Sequence, residues 1–423
     1  MNQILKFLKT DRYSKDLRFL SLVRDLFLTT FIGGIASFLN YIFNFLAANK
    51  LPEESFSVFS GVLGFMYLIQ IPSVTLQTYF TNLVARDKDF FKKNGFTLLV
   101  KRAIIISSLC VLFVLVISPL LASFMEISVE YFLISALMVF GFVYTPVMRG
   151  VLLGLKKVDL FNVLGFLEAI FKLIIFLVAL NFSSDATWPI IAFASPVLLV
   201  GVFAHLVIRK SEQVVNGSNE SIGKFFVDVK YLIITMLTLL FYNSPFSLGV
   251  MLVNHANRAD YAALALLGKI VYFASIMASS VLFTYFSEKA SRQEKNRYLM
   301  MGVVLNVAIS LAIVIIYIFF AETLVLAMFD GKYFEMVPLV APLALGMVFY
   351  STAFSFVNLF LSDHKSIQIY LLGFATFVQI ILYILFNDTL SDAVMNQVIT
   401  FILIFVFMVG FWAIDEMKHR KLK

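Results

Sequence analysis

Twelve long apolar runs dominate the chain, at roughly 26–48, 56–82, 103–124, 131–153, 160–181, 189–208, 231–254, 261–286, 298–320, 337–361, 367–387 and 393–414. Each reaches the ~20 residues that an α-helix needs to cross the hydrocarbon core of a bilayer. The runs are rich in Leu, Ile and Phe and lack strict apolar–polar alternation, so they predict helices rather than the strands of a barrel. The pattern predicts an all-α integral membrane protein of twelve transmembrane helices. Its composition agrees: 61% of residues are hydrophobic, 14% are charged, and the mean hydropathy is +0.93. A soluble domain carries about 45–50% apolar and about 25% charged residues.

Charge sets the orientation. Of the 33 Lys and Arg, 28 fall before the first run, after the last, and in alternate loops, counting Arg149 at the inner end of the fourth run with the loop that follows it. The other loops hold only Lys50, Arg258 and Lys332, while Lys172 and Lys269 lie inside runs. By the positive-inside rule both termini are cytoplasmic, and in a bacterium the chain would occupy the cytoplasmic membrane. The net charge of +7 then follows from topology and attraction to anionic membrane lipids, and no nucleic-acid partner is needed. Charges run through residue 25 ahead of the first span, unlike a short cleavable signal, so that span is expected to be retained. The opening "MNQILKFLKTDRYSKDLRFL" reads equally as an amphipathic interfacial helix or a partly ordered tail.

Several chemistries are excluded. Cys110 is the single cysteine, so there is no disulfide framework. His205, His255, His364 and His419 stand at or beyond span ends and far apart, so no metal site is expected. No GxxxxGK[ST] loop is present to hold ATP. The longest outer loop, 321–336, has about 16 residues, too few for a catalytic domain. A membrane-embedded glycan-modifying enzyme stands only as a remote alternative, and a non-catalytic scaffold as another.

The chain repeats itself. "TYFTNLVARDK" (78–88) and "TYFSEKASRQE" (284–294) close two spans 206 positions apart. "EESFSVFSGVLGF" (53–65) aligns with "RADYAALALLGKI" (258–270) at offset 205, and "LLGLKKVDLFNVLGF" with "LFLSDHKSIQIYLLGF" near 208, pairing Lys157 with Lys365 and Gly165 with Gly373. Three matches in one order predict two six-helix bundles, 1–208 and 209–423, related by a pseudo-two-fold along the membrane normal. The polar stretch "RKSEQVVNGSNESIGK" (209–224) suits the link between them.

With "AANKLPEESFSVFSGV" after a first span, "RGVLLGLKKVD" after a fourth, and a degenerate second copy, the chain resembles the multidrug/oligosaccharidyl-lipid/polysaccharide exporter superfamily, and within it the bacterial polysaccharide-unit flippases. The resemblance spans nearly the whole chain on loose motifs. It implies two bundles around a V-shaped cavity. It also implies an undecaprenyl-diphosphate-linked oligosaccharide turned from the inner to the outer leaflet for O-antigen, capsule or exopolysaccharide synthesis, alongside other polysaccharide assembly proteins. A cation-coupled drug exporter of the same superfamily is the alternative. Such exporters commonly place acids deep in their bundles, whereas the first and seventh spans here hold none. The peptidoglycan-precursor flippases typically add two spans at the C-terminus, beyond the twelve expected here.

Polar groups within the spans supply the candidate site, because an intramembrane charge costs about 2.5–3.5 kcal/mol on insertion scales and needs a cavity or partner. Lys172, Lys269 and Arg149 are the candidate diphosphate contacts. Asn40, Asn44, Gln70, Gln77, Tyr272 and Asn358, on helical stripes, are candidate glycan contacts. Glu168 is the deep acid through which H⁺ or Na⁺ coupling would run, no other cofactor being implied, and its spacing to Lys172 equally allows a structural i,i+4 pair. Helix–helix packing is an equal reading of the Asn and Ser stripes. Pro72 and Pro245 are candidate hinges, since proline removes a backbone donor and bends a helix, and a fixed kink is the equal alternative.

Overall fold

The computed structural model describes residues 11–86, 96–211, 229–287, 292–363 and 365–421. Among them are twelve long helices: α1 (Asp11–Lys50), α2 (Glu53–Arg86), α3 (Phe96–Met125), α4 (Val129–Gly154), α5 (Val158–Ala179), α6 (Thr187–Ser211), α7 (Val229–Leu252), α8 (Arg258–Ser287), α9 (Arg292–Phe329), α10 (Val337–Ser362), α11 (Ile367–Leu385) and α12 (Leu390–Lys421). Eleven are long and apolar enough within the described residues to cross a membrane, and α8 completes the set. This is a multi-pass membrane protein. The polar link from residue 212 onward, His364 and the first ten residues of the predicted interfacial segment lie outside the described residues.

Local chemistry sets the turns. Pro52 follows the end of α1, and Glu53 and Glu54 then occupy the first turn of α2, where the helix dipole favours acids. Gly331, at φ +81°, reverses the chain after α9, and proline in the first turn of α10 restarts it. Two expectations are corrected here. The apolar pattern ends the ninth span at residue 320. Phe320 is instead a kink (φ −127°) after which α9 continues to Phe329. The supposed loop 321–336 therefore shrinks to Asp330–Tyr333 and a short 3₁₀ turn, Phe334–Met336.

The packing repeats with a period of six helices. In the first half α4 packs on α2, α3 and α6, while α5 joins α1 to α6. In the second half α10 packs on α8, α9 and α12, while α11 joins α7 to α12. These are two six-helix bundles related by a pseudo-two-fold. The symmetry breaks where they meet: α2 lies closely along α7, but its counterpart pairing, α1 on α8, is far sparser.

Small residues allow the closest approaches. A Cβ on Gly150 would stand 2.4 Å from the Gln77 carbonyl oxygen, and one on Gly154 2.6 Å from Val84 Cβ, so α4 and α2 touch nearly backbone to backbone. Thr81 Oγ1 donates to the Gly150 carbonyl at 3.1 Å in the same contact. On the face rich in Lys and Arg, here called the basic face, side chains clamp the second half. Arg292 (α9) pairs with Asp415 and Glu416 (α12), Lys365 with Asp415, and Lys295 (α9) with Asp363 at 2.7 Å.

Gly150→Ala should destabilise the protein by about 1–3 kcal/mol, the usual cost of overpacking. Gly410→Ala, with nothing within 4 Å of its would-be Cβ, should be neutral. Thermal unfolding in detergent checks the pair.

Candidate functional site

Where the halves meet, α1, α2, α7 and α8 enclose a cleft of about 430 Å³, counting its open mouth. Its polar lining is Asn44 (α1), Ser60 and Tyr67 (α2), Ser247 (α7) and Lys269 (α8). Phe56, Leu63, Phe246, Val250 and Leu266 supply the apolar wall, and Gly64, Ala262 and Ala265 leave the space open. Lys269 is the only charged residue of this lining. It lies eleven residues into α8, about 16 Å at 1.5 Å per residue, and so near the middle of the bilayer. Its ammonium sits 5.4 Å from the centre of the Tyr67 ring. No carboxylate pairs with it among the described ion pairs.

The internal repeat explains the placement. At offset 205, Lys269 corresponds to Gly64, and both line the cleft. Gly64 lets the α7 backbone approach, its would-be Cβ being 3.1 Å from the Ser247 carbonyl oxygen. One half contributes closeness at this level and the other a charge. Tyr67 corresponds likewise to Tyr272, but Tyr272 is buried against Phe246 and Tyr350, with ring centres 5.5 and 5.4 Å away.

Lys172 and Arg149 stand elsewhere, inside the first half. Lys172 Nζ lies 2.9 Å from Glu168 Oε1, and Arg149 Nη2 lies 2.8 Å from Glu168 Oε2. Lys172 also donates to Asn40 Oδ1 at 3.2 Å and sits 4.4 Å from the Phe193 ring centre. Phe193 meets Tyr67 edge-to-face at 5.7 Å. An aromatic pair thus separates Lys172 from Lys269: one lysine is neutralised behind it, and the other faces the cleft. Neither Phe193 nor Tyr67 has a signal in the sequence that would assign it this position. Each oxygen of Glu168 is held by a cation, so the carboxylate is paired on both sides.

The remaining candidates are dispersed. Asn44 reaches the cleft, and its amide donates to the Asn40 carbonyl at 2.8 Å. Gln70 and Gln77 are half-buried on α2 outside the lining, and Asn358 is buried in the second half. The two prolines lie on α2 and α7, the helices that join the halves. At Pro245 the Phe241 carbonyl, deprived of its helical donor, accepts from Ser244 Oγ at 3.1 Å and Thr376 Oγ1 at 3.4 Å. At Pro72, Ser73 Oγ donates to the Ile69 carbonyl at 3.1 Å.

The Arg149–Glu168–Lys172 arrangement has a sharp consequence. Glu168→Gln leaves two buried cations uncompensated and should cost about 3–5 kcal/mol, the range for breaking a buried pair. Lys172→Met leaves Arg149 balancing Glu168 and should cost clearly less. The melting temperatures of the purified variants check the ranking.

By sequence, no protein-family model matches the chain and no curated protein matches it. Solved structures do match it. Lipid II flippase MurJ, in an inward closed conformation, aligns with a TM-score of 0.70 at 15% identity, covering 92% of this chain and 87% of that one. An inward-facing multidrug resistance MATE family transporter of the MOP superfamily aligns at 0.67 and 14% identity, covering 91% and 96%. A MOP superfamily transporter from Pyrococcus furiosus Vc1 (DSM3638), described as having a binding pocket of reverse polarity, aligns at 0.58 and 15% identity, covering 92% and 93%. The chain has the fold of the MOP superfamily transporters.

Proposed function

We propose that the chain is a flippase that moves an oligosaccharide linked to a polyprenyl diphosphate from the cytoplasmic to the outer leaflet, with the basic face cytoplasmic. The observation that carries this reading is Lys269, a lone cation in a cleft whose lining holds no acid, at mid-membrane between the halves. A diphosphate leaving the headgroup layer needs a fixed positive charge to replace its hydration and counterions. Asn44, Ser60 and Ser247 offer hydrogen bonds to sugar hydroxyls, and Tyr67 and Phe246 offer faces for sugar rings. The sparse α1–α8 contact leaves a side along which a prenyl tail stays in lipid while its headgroup crosses. The cleft is far too small for a glycan, so the cargo requires the halves to spread.

Lys172 and Arg149 enter this scheme as a reserve of positive charge, since with Glu168 they carry a net charge of +1. Coupling to H⁺ or Na⁺ through Glu168 would require one of its two cations to withdraw first. The second reading, a drug exporter, has the fold likeness to MATE transporters in its favour. An acid-free cleft with a lysine is poorly suited to the cationic compounds that such a site would need to hold.

Cells lacking the chain should accumulate lipid-linked glycan on the cytoplasmic side and lose surface polymer. Complementation by Lys269→Arg should restore export. Well-expressed Lys269→Gln should restore about a tenth or less, the scale of one lost charge-assisted contact. An unchanged glycan profile together with new sensitivity to dyes or antibiotics would favour the drug exporter instead.

A further inference from the structure

Three basic residues break the charge bias of the chain by lying opposite the basic face: Lys50, Arg258 and Lys332. Two of them sit where the halves touch at that face. Lys332, in the turn between α9 and α10, donates from Nζ to the carbonyls of Asn49 at 2.8 Å and Leu51 at 3.2 Å, at the end of α1 in the other half. The adjacent Tyr333 donates from its hydroxyl to the Ala48 carbonyl at 2.9 Å. In return, Asn49 Nδ2 donates to the Met328 carbonyl at 3.0 Å. Phe45 packs on Phe329 at 5.6 Å, and Phe56 on Tyr333 at 5.9 Å. Arg258, 2% exposed, lies in the second half with its Cδ 3.3 Å from a would-be Cβ on Gly61 of α2, beside Met125 and Ile127 of the α3–α4 turn.

The chemistry suits a fastener that opens and recloses. The last four carbonyls of a helix have no partner within it. At the end of α1, Leu51 N serves the Ala47 carbonyl, while Tyr333 and Lys332 of the other half serve those of Ala48 and Asn49. A cation at a helix C-terminus also gains from the dipole. Ala48 and Leu51 are buried under the clasp, but Lys50 and Pro52 beside them are exposed, so water can reach these carbonyls once Lys332 and Tyr333 withdraw. The backbone of the turn is shaped to reach across: Asp330, Gly331 and Tyr333 all hold positive φ, at 54°, 81° and 60°, which aims Lys332 and Tyr333 at α1.

We propose that Lys332 and Tyr333, clasping the C-terminus of α1, are the latch that keeps the face opposite the basic one closed, and that their release precedes opening of the cleft to that side. The inference rests on the transporter reading but not on its cargo. It is therefore tested on distances rather than transport.

Spin labels at Glu130→Cys, in the first half, and Asp388→Cys, in the second, in a Cys110→Ser background, report the separation of the halves at that face in lipid nanodiscs. Lys332→Ala with Tyr333→Phe should raise the long-distance population about tenfold, the scale of one lost charge-assisted hydrogen bond. Lys332→Arg should keep the short distance. In the Lys332→Ala background, Asn49→Cys and Met328→Cys oxidised to a disulfide before thioether-linked labels are attached at positions 130 and 388 should return the short distance. Two outcomes overturn the latch: an unchanged distance distribution in the double variant, or a long-distance population that persists with the disulfide closed.

Discussion

A positive charge held at the middle of a membrane with no carboxylate beside it is the constraint around which the molecule is arranged. Lys269 meets the face of Tyr67 and a few neutral hydrogen-bonding groups of the cleft. A cation over an aromatic face recovers only about 0.5–2 kcal/mol, so the remaining desolvation cost stays with the site. The first half treats its charges differently: Glu168 takes both Arg149 and Lys172 at 2.8 and 2.9 Å, and Asn40 takes a further Lys172 proton. One half thus pairs its intramembrane cations with a carboxylate, and the other exposes one to the cleft. Lys269 stands where the repeat places Gly64, so the two halves differ in charge at this level of the cleft.

Each half is tied together by its own close contacts and ion pairs. In the first, Gly150 and Gly154 bring α4 against α2 too closely for sliding. In the second, the cluster of Arg292, Lys365, Lys295 and their acids ties α9 through α12 on the basic face. Two asparagines tie the turns on the opposite face. Asn254 Nδ2 donates to the Asn387 carbonyl and Asn387 Nδ2 to the Leu252 carbonyl, both at 2.7 Å. Proline-bearing α2 and α7 run along the seam, and the end of α1 is held by side chains rather than by continuous packing.

The helices were legible because lipid imposes a length on every span, and the twelve apolar runs register it directly. The ninth also carried a hint: its apolar run stops at Phe320, where the helix kinks before continuing. The two-bundle plan was legible through three weak internal matches, since duplication preserves span ends even where identities decay. The partition of the lysines was not. Helical spacing put Lys172 and Lys269 on polar faces, but it carries no information on Phe193 and Tyr67, which come from other helices and stand between them. The clasp between Lys332 and α1 was equally hidden, because its partners lie about 280 residues apart. Its one trace was the presence of basic residues on the side where the charge bias forbids them.

If Lys269 offers an uncompensated charge to an anionic headgroup, that charge must show in the affinity and in its response to salt. The decisive measurement is binding of a polyprenyl diphosphate to the purified protein across a salt series. Lys269→Gln is predicted to raise Kd about tenfold or more and to flatten its salt dependence, while Lys269→Arg preserves both. Equal affinity of the wild type and a well-folded Lys269→Gln variant at every salt concentration would contradict this role for Lys269.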